Sequence, residues 1–231
     1  MLDVYRREYK FAISEYETVQ LRRRLPYVAA PDKNNGSRGY LVRSLYFDTL
    51  MDTDFEDKVD GVDCRRKIRL RLYSPDAETA KLELKQKEGG MQRKRSLTVS
   101  REEAASLIAG DYDCLLRREE PLARWLGLRM MVNCYVPRCI VEYDREAYCK
   151  NVNDTRITFD SGLRATEACF DLFSRELITY PVCTPGLITL EVKYNHFLTS
   201  DVKDVLRLID REQVSSSKYC AARAVSKRGR R

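Results

Sequence analysis

The residues best able to do chemistry lie in the stretch Cys64-Arg65-Arg66-Lys67-Ile68-Arg69-Leu70-Arg71-Leu72-Tyr73. Read at period two, one face carries Arg65, Lys67, Arg69, Arg71 and Tyr73, and the other Arg66, Ile68, Leu70 and Leu72. Such alternation predicts a β-strand, whose successive side chains point to opposite faces. The pattern recurs. Lys81, Glu83, Lys85 and Lys87 oppose Leu82 and Leu84, and Arg156, Thr158 and Asp160 oppose Ile157 and Phe159. Thr189, Glu191, Lys193 and Asn195 oppose Ile188, Leu190, Val192 and Tyr194. An ordinary sheet would simply solvate its charged face. Here that face is mostly cationic, with Glu interspersed and little of the usual Thr, Ser or Asn. A row of cations repels itself and needs an anion with many oxygens. Arg offers phosphate a bidentate fork and Lys a mobile point charge. A few carboxylates among them could hold a divalent metal, which binds phosphate oxygens in turn. This is the chemistry of triphosphate or polyphosphate binding.

Positioning such residues takes a closed antiparallel sheet. A barrel would turn the charged faces inward and leave the apolar faces for helices to cover. Residues 5–11, 40–47, 93–99 and 138–148 read as further strands. In the first, Tyr5, Arg7, Tyr9 and Phe11 share a face opposite Arg6, Glu8 and Lys10. Glu88-Gly89-Gly90 reads as a hairpin turn. Helices are predicted over 14–25, capped by Ser14 with Glu17, and over 100–108, capped by Ser100 with Glu103 and stopped at Gly110. Residues 114–128 read as helix broken at Pro121, with Trp125 as a core anchor, and 200–211 as helix capped by Ser200. Residues 48–61 read as acidic and irregular, and 227–231 as a frayed basic tail after a short helical stretch. No boundary or repeat divides the chain, so 1–231 is expected to be a single domain.

Composition narrows the partner. Lys and Arg total 42 against 35 Asp and Glu, an excess of +7 that favours an anionic partner. The cations lack an aromatic stacking face beside them, which weighs against nucleic acid. The eight Cys form no C-x-x-C pair, which disfavours zinc, and the charged N-terminus has no signal-like apolar run. Reduced thiols in a cytoplasmic protein are expected. A single His, His196, disfavours mechanisms that need several imidazoles and reads as a surface residue.

Arg6-x-Glu8-x-Lys10, Tyr46-Phe47-Asp48, Arg65-x-Lys67-x-Arg69-x-Arg71, Leu82-Glu83-Leu84-Lys85, Tyr143-Asp144-Arg145, Arg156-x-Thr158-x-Asp160, Leu190-Glu191-Val192-Lys193 and Ser217-Lys218-Tyr219 follow one another along the chain. In that order they resemble the VTC domain, the polyphosphate polymerase domain of the vacuolar transporter chaperone complex. That domain belongs to the CYTH-like triphosphate tunnel superfamily. The resemblance covers nearly the whole chain, and its weight lies in the ordered set rather than in any one motif. It implies an α+β fold, an antiparallel β-barrel tunnel with helices packed outside. It implies binding of ATP or another nucleoside triphosphate, and growth of inorganic polyphosphate with a divalent metal, Mn2+ or Mg2+. By matching motifs, the phosphate ligands would be Lys10, Arg69, Arg71, Lys85, Lys94, Arg145, Arg156 and Lys218, with Lys58 added from the loop before the Arg strand. Glu191 matches the metal-binding carboxylate, and Tyr143 and Ser217 would add hydrogen bonds. Glu8 and Glu83 read either as metal ligands or as charge-balancing partners. The family's eukaryotic polymerase sits beside membrane segments, which leaves room for a membrane-associated partner protein.

Two functions of different class follow: a metal-dependent polyphosphate polymerase, and a non-catalytic sensor of polyphosphate or nucleotide. A triphosphate hydrolase of the same superfamily is a further alternative. Hydrolytic members begin E-x-E-x-K, and Arg6 stands at the first glutamate of that pattern, which argues against the hydrolase.

Overall fold

A computed structural model of the chain describes residues 6–37, 39–88, 91–209 and 211–228. In chain order the elements are β1 (Arg6–Ile13), α1 (Glu15–Arg24), β2 (Ala30–Pro31), β3 (Tyr40–Thr49), α2 (Thr53–Val59), β4 (Arg65–Leu72), β5 (Thr79–Glu88) and β6 (Met91–Ser100). There follow α3 (Arg101–Ile108), α4 (Asp113–Leu116), α5 (Pro121–Val132), β7 (Tyr135–Lys150), β8 (Thr155–Thr166), β9 (Tyr180–Pro181), β10 (Ile188–Asn195), α6 (Ser200–Leu206) and α7 (Lys218–Arg228).

The chain forms two compact units. The first comprises the residues up to Leu41, Tyr143–Arg164 and Pro181–Ser217. Its strand order is β1-β10-β8-β7. Glu8 faces Lys193, Lys10 faces Glu191, and Glu191 faces Thr158. The apolar residues of the same strands, Ile157, Phe159, Leu190 and Val192, pack with Leu21 and Leu25 around α1 and with Val202 of α6. The second unit comprises Val42–Glu142, Ala165–Tyr180 and the residues from Lys218. Its order is β7-β3-β4-β5-β6, with Tyr46 opposite Arg69, Arg69 opposite Glu83 and Lys85 opposite Lys94. Ile68, Leu70, Leu82 and Leu84 bury their side chains against Leu107 of α3 and Leu126 and Met130 of α5. Each such fully buried side chain contributes roughly 1.5–3 kcal/mol. Within each unit this burial leaves the charged positions together on the opposite faces of the strands.

Both predicted capping boxes form: Ser14 with Glu17, and Ser100 with Glu103. Pro121 opens α5 at the expected break. Other expectations are corrected. Residues 53–59 are helical, because Asp48 Oδ1 accepts from Asp54 N (2.9 Å) and Oδ2 from Phe55 N (2.9 Å), a cap supplied from several residues upstream. Trp125 is 37% exposed; α5 turns Ala123, Leu126, Gly127 and Met130 inward, and the indole instead lies against the Arg95 and Arg129 guanidiniums. The helix from Ser200 ends at Leu206, and its N-cap position is Thr199. Lys227 is part of α7 and pairs with Glu56 (2.7 Å) and Asp52 (3.3 Å) rather than fraying. Gly89 and Gly90 of the hairpin turn, and Gly229–Arg231 of the basic tail, lie outside the described residues. All eight cysteines are free thiols, His196 is exposed, and no helix among the described residues is long and apolar enough to cross a membrane.

Candidate functional site

In the second unit the charged faces of β4, β5 and β6 centre on Glu83, which sits opposite Arg69 in the register. Arg69 Nε donates to Glu83 Oε2 (2.8 Å), Lys94 Nζ to Oε1 (2.6 Å), and Arg71 Nη1 lies 3.8 Å from Oε2. Burial alone would raise the Glu83 carboxyl. The Arg69, Arg71 and Lys94 charges outweigh it and bring its pKa down to about 2. The arginines are held on their other side by β3. Arg69 Nη1 donates to the Tyr46 hydroxyl (2.9 Å), its Cζ lies 5.7 Å from the Tyr46 ring centroid, and Arg71 Nε donates to Ser44 Oγ (3.1 Å). Lys85 sits opposite both Lys67 and Lys94 in the strand register. Two guanidiniums and one ammonium group thus surround one carboxylate, and the face keeps a net positive charge. Lys58 lies off these strands, in the last turn of α2, and Lys218 is the first residue of α7.

In the first unit Arg145 plays the corresponding part. Its Nε and Nη2 donate to Asp160 Oδ1 (2.6 Å) and Oδ2 (2.8 Å), and Nη2 lies 3.9 Å from Glu191 Oε2. Burial opposes its charge but is outweighed by the buried Tyr143, on whose ring it lies, and by Asp160 and Glu191. The guanidinium is therefore held firmly protonated. Glu191 also pairs with Lys193, and Lys10 with Glu8 at 3.0 Å. Lys10 Nζ donates to the Ser216 carbonyl (3.3 Å), which places the residue before Ser217 beside it. Arg156 pairs with Asp32 (2.7 Å) and donates to the Tyr40 hydroxyl (3.0 Å). Opposite Glu191 in the strand register, the Thr158 hydroxyl is buried without a hydrogen-bond partner among the described residues. Buried polar groups nearly always have a partner, so this one is available to a water, a ligand oxygen or an ion.

The sequence matches the VTC domain model over residues 5–227. The chain belongs to the VTC domain family. No curated protein matches it. Among solved structures, it is similar to a candidate adenylate cyclase from Bacillus halodurans, at 14% identity and a TM-score of 0.53, covering 91% of this chain and 92% of that one. It is also similar to HpAC1 from Hippeastrum, a candidate adenylyl cyclase described as having a dominant triphosphatase activity, at 16% identity and a TM-score of 0.57, covering 94% and 95%. At these identities the likeness shows the fold alone. This VTC domain has the α+β triphosphate tunnel fold, antiparallel strands with helices packed on them, as the sequence led one to expect.

A divalent metal fits the donors of the first unit in kind. Glu191, Glu8 and the Thr158 hydroxyl are hard oxygen donors, which suit Mg2+ or Mn2+. Among the described residues no three acidic, His or Cys side chains converge. This VTC domain could therefore offer an ion one or two carboxylates, the rest of its shell coming from phosphate and water, as is usual for Mg2+. Glu83, encircled by three cations, is far better placed to balance charge. The structure also gives roles to residues that sequence reasoning left without one. Asp160 braces Arg145, Tyr46 and Ser44 brace Arg69 and Arg71, and Asp32 and Tyr40 brace Arg156. Asp160 shares its strand face with Arg156, so its parity was a signal. Asp32 and Tyr40 come from a loop and a strand start whose pairing no local pattern announces.

Proposed function

We propose that this VTC domain binds nucleoside triphosphate and polyphosphate on its cationic strand faces and transfers a terminal phosphoryl group to a polyphosphate chain. The observation that carries this reading is the bracing of Arg69, Arg71 and Lys94 around the buried Glu83. Cations held in place by packing and hydrogen bonds are what phosphoryl transfer needs. Its transition state spreads charge over peripheral oxygens and leaves a protein to position and neutralise rather than to react covalently. Arg69, Arg71, Lys85 and Lys94 in one unit, and Lys10, Arg145 and Arg156 in the other, would take phosphate oxygens, with Lys58 and Lys218 at the periphery. Tyr143 and Ser217 would contribute through hydrogen bonds. Glu191, with Glu8, would hold Mn2+ or Mg2+, which when bound supplies Lewis-acid neutralisation of the phosphate charge. The two units are read as parts of one domain, since the family match runs unbroken across both. A cytoplasmic location, with any membrane contact made through a partner protein, belongs to the same reading.

The test is incubation of the purified protein with ATP and manganese, followed by gel analysis for long-chain polyphosphate and assay of free phosphate. A polyphosphate ladder supports polymerisation. Free phosphate without a ladder replaces it with the hydrolysis described for HpAC1. Binding without turnover leaves a sensor.

A further inference from the structure

Of the motif Tyr46-Phe47-Asp48, the phosphate reading gives Asp48 no role. Phe47 is core. Tyr46 and Asp48, two apart on β3, share its other face. Asp48 is wholly buried, with 0% exposure, and its carboxylate meets three parts of the second unit. Oδ1 accepts from Thr49 N (2.8 Å) and Asp54 N (2.9 Å); Oδ2 accepts from Phe55 N (2.9 Å) and from the Tyr219 hydroxyl (2.6 Å). The Tyr219 ring stacks on Tyr46, with centroids 5.0 Å apart and planes 21° apart. The Tyr46 hydroxyl in turn accepts from Arg69, which reaches Glu83. One continuous line of contacts therefore runs from a buried carboxylate to a braced guanidinium. Its branches end on the two helices that carry Lys218 and Lys58.

Burying a carboxylate is costly unless its oxygens are hydrogen-bonded, and three backbone N–H groups already serve Asp48 at the start of α2, so the fourth bond, from a tyrosine at the far end of the sequence, is not needed for the cap. We propose that Asp48 is a positioning residue: by holding Tyr219 against Tyr46 it sets the rotamer of Arg69 and the start of α7, and so tunes the anion affinity of this face. The proposal rests on the phosphate-binding reading for its affinity readout, and the experiment separates the two.

Tyr219→Phe removes one hydroxyl and keeps the stacked ring. Its effect is read twice: by calorimetry with tripolyphosphate, and by the 15N–1H resonance of the Arg69 side-chain Nε–H in the ligand-free protein. The expected result is a shifted Arg69 resonance and an affinity lower by about 3–10-fold, the scale of one neutral hydrogen bond. Tyr46→Phe should lower affinity similarly, and the double variant should lose less than the product of the two, because both act on one guanidinium. An unmoved Arg69 resonance in folded Tyr219→Phe, or fully multiplicative losses, overturns the proposal. A moved resonance in a protein that does not bind tripolyphosphate sinks the phosphate reading and upholds the positioning. If Tyr219→Phe does not fold, Asp48→Asn, which keeps an acceptor oxygen for α2, is measured in the same way against the same outcomes.

Discussion

At the scale of single residues, charge is held in place by opposite charge, and the partners differ in what their removal does. Arg69→Ala takes guanidinium contacts from the ligand and strips Glu83 of a partner. Charge-assisted hydrogen bonds are worth about 1.5–3 kcal/mol each, so tripolyphosphate affinity should fall by at least tenfold in calorimetry, and turnover with it. Glu191→Gln keeps the shape and loses the charge. It should abolish manganese-dependent turnover while metal-free tripolyphosphate binds as well as before or slightly better; full retained turnover would move the metal to Glu8 or Glu83. Asp54 gives a prediction in pH. Burial first, and then the nearby Asp48 charge, raise its pKa from 3.8 to about 7. The folded protein thus holds a proton that the unfolded chain releases near pH 4. Its stabilising effect is complete at low pH and is lost as pH rises toward and through 7. Asp54→Asn should therefore flatten the decline in urea stability between pH 5 and 8, by about 1–3 kcal/mol relative to the parent; parallel pH profiles would refute the assignment. Arg69, Arg71 and Lys85 were legible in sequence because strand parity alone places them. Asp54 was not, since neither its burial nor the helix it belongs to has a local signature.

At the scale of elements, parity and caps carried far. The strands around Arg69, Lys85 and Glu191 and the two capping boxes follow from period two and from Ser-x-x-Glu. Where the structure departs from such reading, the determinant is not carried by the element's own periodicity. α2 is capped by Asp48 and by Thr49 Oγ1, which accepts from Thr53 N (3.0 Å). β7 starts at Tyr135, before Pro137, where a proline is tolerated near a strand's beginning. Ser100→Ala should cost about 1 kcal/mol by removing an N-cap, measured by chemical denaturation. Gly39 is a sharper case. Its φ is +92°, and a Cβ there would meet the Arg145 carbonyl oxygen at 2.3 Å. Gly39→Ala should cost roughly 2–4 kcal/mol from left-handed strain and overpacking together. Because the displaced backbone is that of Arg145, it should also weaken tripolyphosphate binding, whereas Gly61→Ala, with open space around its Cβ position, should strain only its own turn.

For the whole molecule, the fold class was within reach of the sequence because amphipathic strands and capped helices leave few other solutions, and the ordered motifs pointed to the VTC family. The division into two compact units was not, since both are assembled from segments far apart in the chain and no linker separates them. The central claim is that braced cationic strand faces read the number of phosphates in a ligand. Isothermal calorimetry comparing orthophosphate, pyrophosphate and tripolyphosphate, at low salt and at about 0.5 M salt, tests it most directly. Affinity should rise at each added phosphate, with tripolyphosphate at least 100-fold above orthophosphate. The salt dependence should be shallower than for an exposed patch, because buried charges are screened less. Equal affinities for the three anions, or none for tripolyphosphate, would contradict the account.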